Sequence, residues 1–231
     1  MRSYELFYDI RQLMMQYTPP ADTGLDLYYV DEHLLVVNKP AGLLSVPGRG
    51  EDKQDCMINR VMRVYPDALI VHRLDMDTSG LLLMARGKPM QSALSILFQQ
   101  RSVHKRYLAV VGGKLKQAEG EINLPLLLDW PNRPKHKVDF EEGKPSLTRY
   151  RVLSYHADEN LSRVELEPFT GRSHQLRVHL MSLGHPIVGD ELYAPPELKT
   201  KAERLLLHAW QLGFQHPMTQ ANLQFECPPE F

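Results

Sequence analysis

A polar segment that runs directly into an apolar one constrains this chain most. Residues 71–80 hold a basic pair, two acids and a turn-forming tail, and residues 81–85 are all apolar. An apolar run of that length is typical of a buried strand. Residues 77–80 are of the types that bend a chain sharply. Asp75 is therefore expected on a short connection at the edge of a rigid core, where a reactive side chain is held still but stays accessible.

The composition is that of an ordinary globular domain. The 231 residues are 43% hydrophobic and 24% charged, which is enough to bury a sizeable core. We find no apolar run long enough to cross a bilayer and no signal segment at the start. Cys56 and Cys227 lack the spacing of a zinc or redox motif, so we expect two free thiols in a cytoplasmic protein, with a monomer as the default state.

The charge is unevenly distributed along the chain. The formal net charge is -1, which does not by itself indicate a nucleic-acid-binding protein. The basic residues nevertheless cluster at 101–106, 133–137 and 172–177, and the local distribution decides the field inside a cleft.

Short paired strands with a few helices between them predict an α+β fold with a largely antiparallel sheet. Residues 1–25, which include a predicted short helix at 4–17, are too few to bury their own core, so the domain is expected at 26–231. The helix before Gly184 is expected to start with Ser173 as its N-cap and to place Gly184 at C′. Strands are predicted at 27–30, 34–38, 81–85, 105–111, 124–128, 147–155, 161–167, 205–214 and 223–225, and helices at 57–64, 88–101 and 173–183.

Asp75 is the first candidate for chemistry. Arg73 and Asp77 stand two residues before and after it, so all three point to one side of an extended chain. A carboxylate in a partly dry cleft stays ionised beside a cation, and it can then act as a nucleophile on a sugar or base carbon. A plain turn residue that accepts backbone hydrogen bonds is the alternative interpretation of Asp75 alone.

The second candidate cluster is 170–179. Gly171 allows a tight entry into a helix, whose N-terminal N–H groups suit an anion. His174 and Arg177 occupy neighbouring positions on that helix, and Arg177 is suited to pair with a carboxylate from another element. A solvated basic helix end is the alternative. The histidine spacing there is poor for a metal, and no metal site is predicted.

Aromatic and basic residues also alternate in two further places. Tyr107 follows a basic stretch and is either a packed strand residue or a stacking platform for a base beside phosphate-binding cations. The loop 130–137, with Trp130, Arg133 and Lys135, is either a solvated connection or a contact surface, and its length and charge favour the surface.

Residues 72–75 and 78–80 together resemble the motif of the pseudouridine synthase family that acts on ribosomal large-subunit RNA. Each matching segment is modestly specific, but all of them occur in order across residues 26–231. Segments 129–135 and 143–145 are similar to one subgroup of that family, whose members modify both 23S rRNA and the anticodon stem-loop of some tRNAs. The further matching segments are 38–43, 105–107, 171–177, 184–190 and 205–209.

The resemblance implies the pseudouridine-synthase fold with a central active-site cleft, RNA as the partner, and no cofactor. It implies that Asp75 is the catalytic carboxylate, that Arg177 pairs with it, and that Tyr107 stacks on the flipped uracil and helps to remove the C5 proton. Arg73 would fill the space that the uridine leaves in the RNA, and Leu207 would line the pocket. The further predicted substrate contacts are His72, Arg172, His174, Arg133 and Lys135.

Two other classes of function use some of the same residues. A retaining glycosidase or nucleosidase needs a second carboxylate about 5 Å from the first, and Asp77 is the local candidate for it. A non-catalytic RNA-binding module needs the basic loops and Tyr107 but has no use for a pair between Asp75 and Arg177.

Overall fold

A computed structural model describes residues 17–231. The predicted helix at 4–17 therefore lies outside the described residues, apart from Tyr17. The strands are β1 (Leu27–Val30), β2 (Leu34–Lys39), β3 (Ala68–Ile70), β4 (Ser79–Arg86), β5 (His104–Gly112), β6 (Glu119–Asn123), β7 (Leu126–Leu128), β8 (His136–Val138), β9 (Leu147–His156), β10 (Leu161–Pro168), β11 (Leu207–Gln215) and β12 (Asn222–Glu226). The α-helices are α1 (Met57–Met62), α2 (Lys88–Gln99), α3 (Gln175–Ser182) and α4 (Pro196–Lys199), and Glu51–Lys53 and Trp130–Asn132 form 3-10 turns.

Ten of these strands form one mixed sheet in the order β1-β2-β4-β11-β5-β10-β9-β6, with β3 on β4 and β12 on β11. Neighbouring strands pair antiparallel except β4 and β11, which run parallel. β7 and β8 form a separate antiparallel hairpin. The prediction of an α+β fold with a largely antiparallel sheet is thus confirmed.

Strand β4 is buried along nearly its whole length, as its apolar sequence predicts. Alternate residues of β2 and β4 enter two different cores, one against α1 and one against α2 on the other face of the sheet. A third core fills the other half of the molecule, between β5, β10 and α3. Tyr107 packs against both the α1 core and the α3 core, so it lies at the seam between the two halves.

The turn before β4 is shorter than predicted. It closes when the Thr78 N–H donates to the Asp75 carbonyl at 3.1 Å, and Ser79 and Gly80 already belong to the strand. Gly80 has φ 111° and lies against the backbone of Ala209 on β11, where an added Cβ would stand 2.3 Å from the Ala209 carbonyl oxygen. Glycine is needed here because two backbones approach closely, not because the chain turns.

Helix α3 also starts later than predicted. Ser173 is not its N-cap: the helix begins at Gln175, and His174 takes the left-handed conformation with φ 55°. The Gln175 side chain instead organises the entry, because its Oε1 accepts from the Thr170 hydroxyl at 2.7 Å and from the Arg172 N–H at 3.0 Å. The predicted C′ position of Gly184 is confirmed, with φ 82°.

Part of the predicted N-terminal extension is attached to the domain. The Tyr17 hydroxyl donates to the Asp55 carbonyl at 2.8 Å and accepts from the Leu44 N–H at 3.0 Å, and Arg60 donates to the Pro20 carbonyl at 2.6 Å. The boundary at residue 25 stays a prediction. Of the helices in residues 17–231, none has the length and apolar character needed to pass through a membrane.

Replacing Gly80 by alanine is expected to lower the free energy of unfolding by about 3 kcal/mol, because the methyl group meets backbone and φ is unfavourable. Gly24→Ala is the matched control, since Gly24 has φ 95° but nothing within 4 Å of an added Cβ. Urea denaturation of both variants measures the difference, and equal losses would contradict the close-approach explanation.

Candidate active site

A cleft of about 820 Å³ opens at the seam between the two halves of the sheet. It collects side chains from the turn before β4, from β5, from the segment leading into α3 and from the start of β11. Of the predicted site residues, those that line it are His72, Arg73, Asp75, Tyr107, Arg172, Arg177 and Leu207. The other three, His174, Arg133 and Lys135, are not among the lining residues.

The cleft is cationic although the whole chain is nearly neutral. Its only lining carboxylates among residues 17–231 are Asp75 and Glu167, whereas six lining side chains are lysine or arginine. These cations are Arg73, Arg101, Lys105, Arg149, Arg172 and Arg177. This local excess of positive charge suits a polyanionic ligand, as the clustering along the sequence predicted.

The Asp75 turn is held by hydrogen bonds from beneath. The Ser45 hydroxyl donates to the Leu74 carbonyl at 2.7 Å and accepts from the Leu74 N–H at 3.1 Å. The ammonium of Lys39 donates to the Met76 carbonyl at 2.8 Å. The backbone on both sides of Asp75 is therefore fixed by groups that do not touch the carboxylate, which is the arrangement that preorganises a reactive side chain.

Lys39 is a fully buried cation under this turn. Burial lowers the pKa of its ammonium to about 7, while the charges of Asp77 and Asp75 act in the opposite direction. Its Nζ also donates to the carbonyls of Pro40 at 2.8 Å and Leu43 at 2.7 Å. Three carbonyl acceptors match the three N–H donors of the protonated form, so the geometry favours the charged lysine.

Arg177 is not paired directly with Asp75, which corrects the prediction. Its Nε and Nη2 donate to Asp190 at 2.8 and 2.6 Å, and no ion pair within 4.0 Å joins it to Asp75. Both partners are buried. Burial is the largest single influence on Arg177 and disfavours its charge, but the hydrogen bonds to Asp190 and the charges of Asp190, Asp75 and Asp77 together keep the pKa of the guanidinium above its ordinary value. Arg177 still lines the cleft beside Asp75, so it acts on Asp75 through its field.

Asp190 in turn accepts hydrogen bonds from the N–H groups of Leu192 at 3.0 Å and Tyr193 at 3.1 Å. With two bonds from Arg177 as well, a fully buried carboxylate is satisfied on both oxygens. Asp190 and Lys39 fall within the matching segments 184–190 and 38–43, but the resemblance implied no role for either residue. For Lys39, a charge at the end of a largely apolar strand was a usable signal.

The His72 side chain is packed against the protein and is not the exposed basic group that the sequence suggested. Its Nε2 accepts from the Leu83 N–H at 3.0 Å, and its ring stacks on Phe98 with centroids 4.6 Å apart. Burial, with a smaller effect from the charge of Lys105, lowers the pKa of His72 to about 3, so the ring is neutral near pH 7. Arg73 remains exposed and spans the cleft to the Ser173 hydroxyl at 3.3 Å.

His174 is packed beside the cleft and is not a free cation. Its Nδ1 is 2.7 Å from the Tyr193 hydroxyl, and its ring lies edge-on against His136. Burial lowers the pKa of His174 to about 4. The Tyr193 hydroxyl also accepts from the His136 N–H at 2.7 Å, which fixes strand β8 beside the segment that leads into α3.

Arg133 and Lys135 lie in the connection between β7 and β8, outside the cleft. The guanidinium of Arg133 stands over the ring of Trp130, 3.9 Å from its centroid, and that ring is 64% exposed. The contact surface predicted for this loop stays a prediction, and the exposed pair is separate from the pocket that holds Asp75.

Tyr107 and Leu207 form the apolar wall of the cleft. Leu207 is buried, and Tyr107 is partly buried at the seam. Burial and, to a smaller extent, the charge of Asp75 raise the pKa of Tyr107, so its phenol keeps its proton at neutral pH. A flat ring, an aliphatic side chain and a carboxylate thus share one pocket, which suits a planar base attached to a sugar.

Asp77, the other acid of the turn, does not line the cleft. Burial raises the pKa of its carboxyl, although the charges of Arg177 and Lys39 partly offset that effect. Of the two acids of the turn, Asp75 is therefore the one that a ligand in the cleft would meet. Residues 17–231 contain no group of three histidine, cysteine or acidic side chains arranged to hold a metal ion.

Replacing Asp190 by asparagine is expected to lower the free energy of unfolding by about 3–5 kcal/mol, because Arg177 stays buried without its counter-charge. Glu191→Gln is the matched control: the adjacent Glu191 pairs with Lys199 at the surface, and breaking such a pair costs below about 1 kcal/mol. Urea denaturation measures the free energy of unfolding of both variants. A loss below about 1 kcal/mol in Asp190→Asn as well would show that Asp190 is not needed to stabilise the buried charge of Arg177.

Known proteins match this chain over most of its length. A family model described as RNA pseudouridylate synthase matches residues 33–182. The dual-specificity RNA pseudouridine synthase RluA of Vibrio cholerae is 58% identical over 218 residues, covering 94% of this chain and 88% of the relative. The protein of the same name from Escherichia coli (strain K12) is 51% identical over 218 residues, covering 94% of this chain and 99% of the relative.

Solved structures agree with the sequence comparisons. Human RNA Pseudouridylate Synthase Domain Containing 1 superposes with a TM-score of 0.76 at 30% identity, over 93% of this chain and 87% of that one. Human RNA Pseudouridylate Synthase Domain Containing 4 gives a TM-score of 0.70 at 27% identity, over 88% of each chain. The predicted fold and resemblance are confirmed: the chain belongs to the RNA pseudouridylate synthase family, a family of RNA-modifying isomerases.

Proposed function

We propose that this protein isomerises specific uridines to pseudouridine in 23S rRNA and in tRNA anticodon stem-loops, without a cofactor. The observation that carries the proposal is the convergence of Asp75, Tyr107, Leu207 and Arg177 in one cationic cleft. The dual specificity named for the relatives supports two classes of RNA substrate. Cytoplasmic location, the monomeric state and the domain boundary at residue 25 stay predictions.

The reaction breaks the C1′–N1 bond of uridine and forms a C1′–C5 bond, after which the C5 proton leaves and N1 gains a proton. No electrons are gained or lost overall. In our proposal Asp75 attacks or assists at the sugar once the bond to N1 weakens. Arg177, held rigidly by Asp190, would place a fixed positive charge in the same cleft as Asp75. Leu207 packs on the uracil while it turns.

Tyr107 would act first as a stacking surface, because its phenol is protonated near pH 7. For C5, the phenol is suited to a relay, in which it accepts the C5 proton as its own proton moves to Asp75 or to solvent. The partly buried position of the ring keeps bulk water away from the sugar while the base is detached.

The remaining cations would bind the RNA around the extruded uridine. Arg73 projects from the Asp75 turn and is placed to fill the gap that the base leaves in the stack, offsetting part of the few kcal/mol that unstacking costs. Arg172 would face phosphates, whereas His72 and His174 would support the walls. Arg133 and Lys135 would contact RNA farther out, on the hairpin of β7 and β8.

A nucleosidase would release the base by adding water at C1′ and would use a second carboxylate close to the first. Asp77 does not line the cleft, which disfavours that reaction. A non-catalytic RNA-binding module would have no need of a buried Arg177–Asp190 pair beside Asp75. An RNA labelled with tritium at uridine C5 separates the three: a synthase releases tritium and leaves pseudouridine, a nucleosidase frees uracil, and a binding module does neither.

Asp75→Asn is expected to abolish tritium release from both a tRNA transcript and a 23S rRNA fragment, because the amide keeps the shape but is not a nucleophile. The Kd for RNA should stay close to that of the wild type. Asp77→Asn is the comparison and should retain most of the turnover. Substantial turnover by Asp75→Asn would falsify the assignment.

Tyr107→Phe is expected to keep the KM for RNA but to lower kcat roughly 100-fold, the lower end of what a positioned proton-transfer group contributes. Tyr155→Phe removes a surface hydroxyl that bonds Asn160, and it serves as the matched control. Steady-state kinetics on the tritiated RNA measure both variants. If Tyr107→Phe turns over as fast as the control, the hydroxyl has no part in the reaction.

A further inference from the structure

The wall of the cleft formed by β9 and the end of β10 carries an aromatic–cation pair that the reaction at Asp75 does not use. The Arg149 guanidinium stands over the Phe169 ring, 4.4 Å from its centroid, and both residues line the cleft. The pair is anchored. The Arg149 Nε donates to Glu121 at 2.6 Å, and the Phe169 N–H donates to the Leu147 carbonyl at 3.0 Å.

The charge of Arg149 is partly offset by its neighbours. In the sheet register, Glu167 of β10 and Glu121 of β6 lie directly on either side of Arg149 of β9. A guanidinium between two carboxylates attracts a phosphate less strongly than an unpaired guanidinium does. Its flat face is still available, because the Arg149 side chain is 54% exposed. Arg172 is the contrast, since among the described residues its only hydrogen bond from the guanidinium goes to the Pro145 carbonyl.

A second pair lines the cleft where Lys105 of β5 stands over Phe98 of α2, 5.8 Å from the ring centroid. The Phe98 ring is already stacked on His72, and a lysine has no planar face to offer. The cleft volume of about 820 Å³ is near the upper end of ordinary ligand pockets, so one uridine beside Asp75 leaves room along the wall.

We propose that the Arg149–Phe169 pair is a second nucleobase subsite, on which an unpaired nucleotide near the target uridine stacks. Planar guanidinium groups and aromatic rings are the surfaces on which proteins stack splayed RNA bases. The subsite would select RNA loops that present a second unstacked base at the right distance from the uridine that is modified. This inference rests on the proposed function, because it takes the cleft to bind RNA.

The test uses the full chain in the inactive Asp75→Asn form and an anticodon stem-loop RNA with uridines in its loop. In a set of such RNAs, each loop nucleotide is replaced singly by an abasic ribose. Arg149→Lys keeps the charge and removes the planar face, and Phe169→Leu keeps the apolar volume and removes the ring. Arg151→Lys is the matched control, because Arg151 lies on the same strand face, 56% exposed and paired with Glu165, outside the cleft.

Each subsite variant is expected to raise the Kd for the intact stem-loop about 10-fold, the typical effect of losing one stacked base. The effect should vanish for the RNA that is abasic at one particular loop position, and Arg151→Lys should change no Kd. A 10-fold loss of affinity that persists with every abasic RNA would overturn the proposal and indicate a general effect on charge or fold. An unchanged Kd in both variants would also overturn it.

A failure of the proposed function can be distinguished from a failure of the proposed subsite by a separate measurement. Tritium release by the wild-type enzyme from the same stem-loop reports on catalysis, whereas the Kd comparison does not depend on it. Base-specific loss of binding without tritium release from any RNA would therefore support the subsite and contradict the isomerase proposal.

Discussion

The active site depends on the parallel contact between β4 and β11. It joins the two antiparallel halves of the sheet through only two residue pairs, His208 with Ser79 and Ala209 with Gly80. Ala209 also faces Tyr107 on β5, so Gly80, Ala209 and Tyr107 form one row across three strands. Two strand spacings of this kind amount to roughly 10 Å. The absence of a side chain at Gly80 thus sets how far the Asp75 turn stands from Tyr107 and Leu207.

Buried charge gives this junction its rigidity. Arg177 and Asp190 are held by four hydrogen bonds to the Asp190 carboxylate, and the Lys39 ammonium is held by three to backbone carbonyls. Such groups contribute little net stability, but disrupting one is costly because the partner remains buried and unpaired. They therefore restrict the site to one geometry. The cationic surface of the cleft is built on this frame, so an RNA ligand meets side chains whose positions are already determined.

The local sequence correctly predicted those strands, helices and turns that depend only on neighbouring residues. The apolar run before Arg86, the strand pair around residues 156–160, helix α2 and the C′ glycine of α3 follow from periodicity and turn chemistry, and the structure confirms them. Errors arose where a distant residue decides the outcome. Ser173 is of a good capping type, but the Gln175 side chain donates to Leu147 and Thr148 on β9, His174 takes the left-handed conformation, and the helix starts later. His72 resembled a basic surface residue until β4 placed the Leu83 N–H against its ring.

By itself, the sequence determined the class of fold, the family and the residues that could perform the chemistry, because strand and helix periods and the order of short motifs are local properties. Only the tertiary structure decided which charges meet. Arg177 binds Asp190, thirteen residues away, although Asp75, which lines the same cleft, was an equally suitable carboxylate. Ion pairing falls off steeply with distance and needs a defined geometry, so it is settled by how the elements pack around Gly80 and not by residue type.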